Sequence, residues 1–112
     1  MKEIKAYVHR DRVADVIGGL KASPSWSSAS KGCQHNLVVY VVKGSLAPLN
    51  DNERHYSLDL GDEVVNEYKL ELLCEDADVD ELVGVILAAA HTGQPNAGWV
   101  TVTNIVQAVA VS

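Results

Sequence analysis

Apolar and polar residues alternate at the start of the chain. Residues 3–9, EIKAYVH, put Ile4, Ala6 and Val8 on one side, the period of two of a strand with one buried face. The period then changes. Val13, Val16, Ile17 and Leu20 fall at i, i+3, i+4 and i+7, which predicts a short amphipathic helix over 11–22. Gly18-Gly19 weakens that helix and Pro24 stops it. Residues 23–36, with five serines, a proline and a glycine, read as a loop. LVVYVVKG, 37–44, is a β-branched run and a strand. Residues 45–62 carry turn formers and no clear period, and so long a loop in a compact domain is functional or mobile. Alternation returns in EVVNEYKLELLCE, 63–75, through Tyr68, Leu70, Leu72 and Cys74. Asp78 and Glu81 have the spacing of a capping box, and Val79, Leu82, Val83, Ile86 and Ala90 form the apolar stripe of a second helix. The chain ends in WVTVTNIVQAVAV, one strand or two short ones broken near Asn104.

The resulting order, β-α-β-β-α-β, is the ferredoxin-like plan of an α+β sandwich: an antiparallel sheet with two helices on one face. It accounts for residues 1–112 as a single domain, with no internal repeat and no interdomain linker. The run 37–44 is apolar on both faces. One layer of helices covers only one face, so self-association is expected.

Composition narrows the classes of partner. A net charge of −6 argues against nucleic acid or an anionic membrane surface as the main partner. No apolar run is long enough to span a bilayer, and MKEIKAYVHRDR lacks the apolar region of a signal peptide, so a cytoplasmic protein is expected. The core is aliphatic, since the chain has no phenylalanine. Cys33 and Cys74 have no metal-binding or C-x-x-C spacing and are expected as two thiols, Cys74 in the core and Cys33 exposed.

Little in the sequence resembles catalytic machinery, and no enzyme is expected. His9, His35, His55 and His91 are scattered, and no metal site is expected from them, although folding could bring His9 and His55 together. The acidic run CEDADVDE opens a helix, where carboxylates offset the helix dipole. Two segments remain as anion cradles. One is the turn TGQPNAG at 92–98, whose alternative is a plain helix-to-strand connection. The other is Lys43-Gly44, where a glycine lets a ligand approach the backbone and a lysine supplies a point charge.

The element order, VKG at Val42-Lys43-Gly44 and TG at Thr92-Gly93 together resemble the PII signal-transduction family. PII proteins begin with a strand like MKKIDAIIK, where this chain has MKEIKAYVH. They carry VKGFG before a long T-loop, then VKIEIVV, a helix and TGKIGDGKIFV; the counterparts here are VKGSL, YKLELLC and TGQPNAGWVTV. The likeness covers nearly the whole chain, with excess length in loop 23–36. It implies a homotrimer with an adenine nucleotide in each cleft between subunits. The implied nucleotide-binding residues are Lys43, Gly44, Leu73, Thr92, Gly93, Gln94, Pro95, Asn96, Ala97, Gly98 and Trp99. Segment 45–62 becomes the T-loop and 92–99 the B-loop, whose backbone amides would serve the phosphates.

The departures from the family carry information of their own. The B-loop lysine falls on Trp99, and the arginines of the C-terminal strand fall on Ala110 and Ser112. The T-loop glutamine that helps hold magnesium and 2-oxoglutarate falls on Pro48. The lysine that pairs with the 2-oxoglutarate carboxylate falls on Glu67, a charge reversal. The uridylylated tyrosine falls on Leu60, with Tyr56 out of register. Lost charge-assisted contacts favour AMP or ADP over ATP. Divergent PII-like proteins include ones tied to carboxysomes and bicarbonate transport. Arg54 and His55 are the small-anion candidates for bicarbonate, and a transporter or carboxysome component is the expected kind of protein target. The competing reading is a CutA-like metal-binding trimer, or a small enzyme on the same fold.

Overall fold

A computed structural model describes residues 1–27 and 36–112, with only the backbone of Ser27. Cys33, His35 and most of the Ser-rich connection lie outside the described residues. Strand β1 is Lys2–His9, helix α1 Val13–Ala22, the one-turn helix α2 Pro24–Ser27 and strand β2 Val38–Gly44. Strand β3, His55–Ser57, and strand β4, Asp62–Cys74, follow, then helix α3, Val79–Ala90, and strand β5, Trp99–Asn104.

The sheet runs β2-β4-β1-β5, antiparallel throughout, and β3 pairs with the start of β4. Directly opposed residues in such a sheet share a face. The register Ile4↔Leu72, Ala6↔Leu70 and Ala6↔Val100 therefore collects the alternating apolar positions of three strands on one side. Helices α1 and α3 lay Val16, Leu20, Leu82 and Ile86 onto that side to close the core. Each such side chain, fully removed from water, contributes about 1.5–3 kcal/mol. Gly19 allows the helices to pack closely, since a Cβ there would stand 3.0 Å from the Val85 side chain. The architecture is the α+β sandwich that the hydrophobic pattern predicts. No helix among the described residues is long and apolar enough to cross a membrane.

Five details differ from the sequence reading, the first being that Pro24–Ser27, expected as part of a loop, form the one-turn helix α2. Segment 45–62 is not devoid of structure: a 3₁₀ turn, Asp51–Glu53, is followed by the β3–β4 hairpin, whose turn Gly61 closes at φ +68°. Strand β3 is too short for a period to show. Helix α3 has no capping box. Asp78 sits at φ −97°, ψ −8°, a helical conformation that ends the 3₁₀ turn Asp76–Asp78, and its side chain caps no amide. Glu81 instead accepts a hydrogen bond from the Ser25 N–H at 3.0 Å, tying α3 to α2. Helix α1 is preceded by a 3₁₀ turn, Arg10–Arg12, capped by His9, whose Nδ1 accepts the Asp11 N–H at 3.1 Å. Finally, β5 stops at Asn104, because its partner β1 runs out: Asn104 pairs with Lys2, and the Ile105 N–H takes the last carbonyl, that of Met1. Residues 106–112 have no regular structure.

Strand β2 is exposed on both sides. Val39 and Val41 lie on the helix side, opposite Leu70 and Tyr68, yet Val41 is 53% exposed. Val38, on the other side, is exposed as well. Cys74 is buried in the core.

Candidate functional site

The two candidate cradles begin on opposite edges of the sheet, at the end of β2 and the start of β5. The chain leaving Gly44 crosses the helix-free face and meets the turn before β5, where the Ala47 N–H donates to the Asn96 carbonyl at 3.0 Å. Between them lies a cleft of about 500 Å³. Val42, Glu67, Lys69 and Tyr7 lie on its floor, Lys43–Leu46 form one wall, and Asn96 and Trp99 the other. A smaller hollow of about 240 Å³ beside the same turn is lined by Leu87, His91, Thr92, Gln94, Ala97 and Gly98, with Tyr7, Asn96 and Trp99 shared between the two. Gly93 and Pro95 line neither. Leu73 sits opposite Glu3 near the far end of β4, seven residues from Lys43's partner Asn66. At ~3.3 Å per residue that is roughly 23 Å along the strand, so the protomer does not bring Leu73 to the cleft.

Gly44, expected to admit a ligand, and Gly98 of the second cradle each stand against a group of the protein itself. A Cβ on Gly44 would meet the Glu67 carboxylate, 1.9 Å from Oε2. Glu67 is 6% exposed, and its Oε2 accepts the Leu46 N–H at 2.9 Å. The group approaching the backbone at Gly44 is therefore an internal carboxylate, which shapes the turn out of β2. A Cβ on Gly98 would lie 2.6 Å from the Tyr7 carbonyl oxygen, so glycine there lets the chain close onto β1. Gly93, at φ +82°, and Asn96, at φ +56°, adopt the left-handed conformations that fold the turn. The Gln94 N–H is satisfied by the Thr92 hydroxyl at 3.3 Å, and the Trp99 indole N–H donates to the Asn96 side chain at 3.2 Å. Trp99 is 61% exposed and presents a flat aromatic face at the cleft mouth.

Electrostatics of the floor come from a cluster that the sequence does not announce. Lys69 lies 5.1 Å from the Tyr40 ring centre and 5.2 Å from that of Tyr7, and its Nζ is 3.3 Å from Glu71. The Tyr40 phenol, then Tyr7 and Glu71, hold the Lys69 ammonium well above its ordinary pKa. The Tyr40 hydroxyl donates to Glu71 at 2.7 Å and, followed by Lys69, holds that carboxyl below its ordinary value. Lys69 thus lies on the cleft floor with the buried carboxylate of Glu67, its charge already shared with Glu71, while Lys43 belongs to the wall. Strand register decides this grouping, since Tyr40 opposes Lys69 and Lys69 opposes Tyr7.

Arg54 and His55 are not brought together. Arg54 lines a hollow with Ser45, Asp62 and Glu63, two of them acidic, and His55 lines a separate cleft with Asp11, Asn50 and Glu53. His9 was not a site candidate, yet it is buried against Glu53 of the 45–62 segment. The signal available in sequence was only a histidine at the end of β1, one position past the inward-facing Val8.

No family model matches the chain. Over 111 residues, 99% of this chain and 89% of the other, it is 27% identical to nitrogen regulatory protein P-II 2 of Methanothermobacter thermautotrophicus.

Proposed function

We infer from this similarity that the chain is a divergent PII-like regulatory protein, and we propose that it signals the adenine nucleotide state of the cell. In this reading AMP or ADP binds the cleft between Lys43–Leu46 and Asn96–Trp99, completed by a neighbouring copy in a homotrimer. Loop 45–62 then presents the bound state to a protein target, a membrane transporter or carboxysome component being the class expected. The observation that carries the reading is the Ala47–Asn96 hydrogen bond, which joins the two segments into one cleft walled by Lys43 and Trp99.

The charge inventory supports the shorter nucleotides. Lys43 and Lys69 line the cleft with the buried carboxylate of Glu67, Lys69 is already paired with Glu71, and the positions of three family cations hold Trp99, Ala110 and Ser112. ATP brings about two more negative charges than AMP, and unpaired buried charge is costly. Each missing charge-assisted hydrogen bond costs about 1.5–3 kcal/mol, roughly ten- to a hundred-fold in affinity. Glu67 supports the loss of 2-oxoglutarate sensing, because its carboxylate already takes the Leu46 N–H. The doubly exposed β2 supports self-association. Bicarbonate receives no paired Arg54–His55 site, so an inorganic-carbon role rests on resemblance alone.

Isothermal titration with AMP, ADP and ATP at fixed magnesium, then ATP with 2-oxoglutarate, tests the reading. AMP or ADP should bind at least tenfold more tightly than ATP, with no effect of 2-oxoglutarate. ATP binding tenfold tighter, or tightened by 2-oxoglutarate, overturns it. Light scattering that finds a monomer of 12.0 kDa overturns the trimer.

A further inference from the structure

His9 ends β1 with a ring only 4% exposed. Each ring nitrogen faces a carboxylate. Nε2 contacts Glu53, whose side chain is 10% exposed, and Nδ1 lies 3.8 Å from Asp11 Oδ2. The three groups offer donor atoms that all lie within 4.8 Å of one another. Beside them opens a cleft of about 380 Å³, whose lining includes Arg10, Asp11, Asn50, Glu53, His55 and Asn66 and shares no residue with the nucleotide cleft.

We propose that His9 Nε2 and Glu53, with Asp11 orienting the ring, hold a divalent metal of the zinc class, clipping loop 45–62 to the body of the protein. Imidazole nitrogen with carboxylate oxygen is a donor set such metals take, at about 2.0–2.2 Å from the ion. Two donors on one tetrahedral ion are then roughly 3.3 Å apart, within the observed spread of the three groups. The proton inventory allows it. Without metal, Nδ1 accepts the Asp11 N–H, so the ring proton sits on Nε2 and points at Glu53. Metal takes the place of that proton between Nε2 and Glu53, and the proton moves to Nδ1. There the Asp11 carboxylate accepts it, the carboxylate–histidine–metal arrangement that orients a ligating ring. The Asp11 N–H gives up its bond to Nδ1 in the exchange. The ring remains neutral, and no proton is lost from the pair. Exposed His55 lines the neighbouring cleft but stands outside the donor group, so water completes the shell. The ligands come from two places: His9 from a core strand, Glu53 from the loop. Metal occupancy therefore sets how firmly the loop is held.

Titration of the full chain with zinc chloride tests this, with nothing else added. One zinc per chain should bind in the micromolar range or tighter. Glu53→Gln should weaken binding by tenfold or more, and Asp11→Asn by about ten-fold, as expected for an orienting partner. Amide exchange across 51–55 should slow with zinc in the parent chain and not in Glu53→Gln. Glu53 lies in the loop, so its variant keeps the core, and an unchanged far-UV circular dichroism spectrum verifies this. No micromolar zinc binding, or binding equal in the parent and Glu53→Gln, overturns the proposal.

Discussion

Gly44 and Glu67 form a coupled pair whose energetics follow from geometry. Gly44 does not occupy the left-handed region, so alanine is compatible with its backbone. The obstacle is the Glu67 carboxylate, where Cδ would stand 2.3 Å and Oε2 1.9 Å from the new Cβ. Gly44→Ala must push that carboxylate aside and break its bond to the Leu46 N–H. A hydrogen bond to a charged group contributes about 1.5–3 kcal/mol, and the amide left behind is at a buried residue. Gly44→Ala should therefore destabilise by about 2–3 kcal/mol. Glu67→Ala loses the same bond and should cost about as much. The double variant has nothing left to displace. Adding Gly44→Ala to Glu67→Ala should then be near neutral, helped by the few tenths to ~1 kcal/mol that alanine gains by restricting the unfolded chain. The coupling energy should be about 2 kcal/mol. Urea unfolding of the four proteins at one protomer concentration measures it, because association makes apparent stability concentration-dependent. If the two single changes add to within about 0.5 kcal/mol, the carboxylate does not press on Gly44 and the account of this turn is wrong.

Two further expectations concern the other side of the cleft and its floor. Gly98→Ala meets a backbone carbonyl rather than a side-chain end. It should destabilise by about 1–3 kcal/mol without rescue by any change at Tyr7, as denaturation of Gly98→Ala and Gly98→Ala/Tyr7→Ala would register. Tyr40→Phe removes the hydroxyl that chiefly lowers the Glu71 pKa, so a carbon-13 titration should find the Glu71 midpoint raised. Because the folded pKa is depressed, the Tyr40 contribution to stability is present above the unfolded value, near 4.5, and disappears as pH falls through the folded one. The stability gap between parent and Tyr40→Phe should thus be open at neutral pH and close below pH 4.5. A gap unchanged at acid pH would refute the assignment.

Alternation, a β-branched run and helical period determined every strand but β3, the two long helices and the core. Ile4, Ala6, Val8, Leu70, Leu72, Leu82 and Ile86 are all buried, because a period of two or of 3.6 is the local record of one face meeting one core. The two cradle segments, Lys43-Gly44 and 92–98, were also legible, since glycine and proline at the end of a strand or helix mark turns. Partners across the sheet were not. Register joins Lys69 to Tyr7 and Tyr40, and only folding brings His9 to Glu53, 44 positions away. The purpose of Gly44 and Gly98 was likewise hidden. A glycine in sequence says that something comes close, and the tertiary structure decides what: a carboxylate from β4 in one case, a carbonyl from β1 in the other. Local periodicity records the environment of a face, whereas a site depends on contacts between residues remote in sequence, which no local pattern encodes.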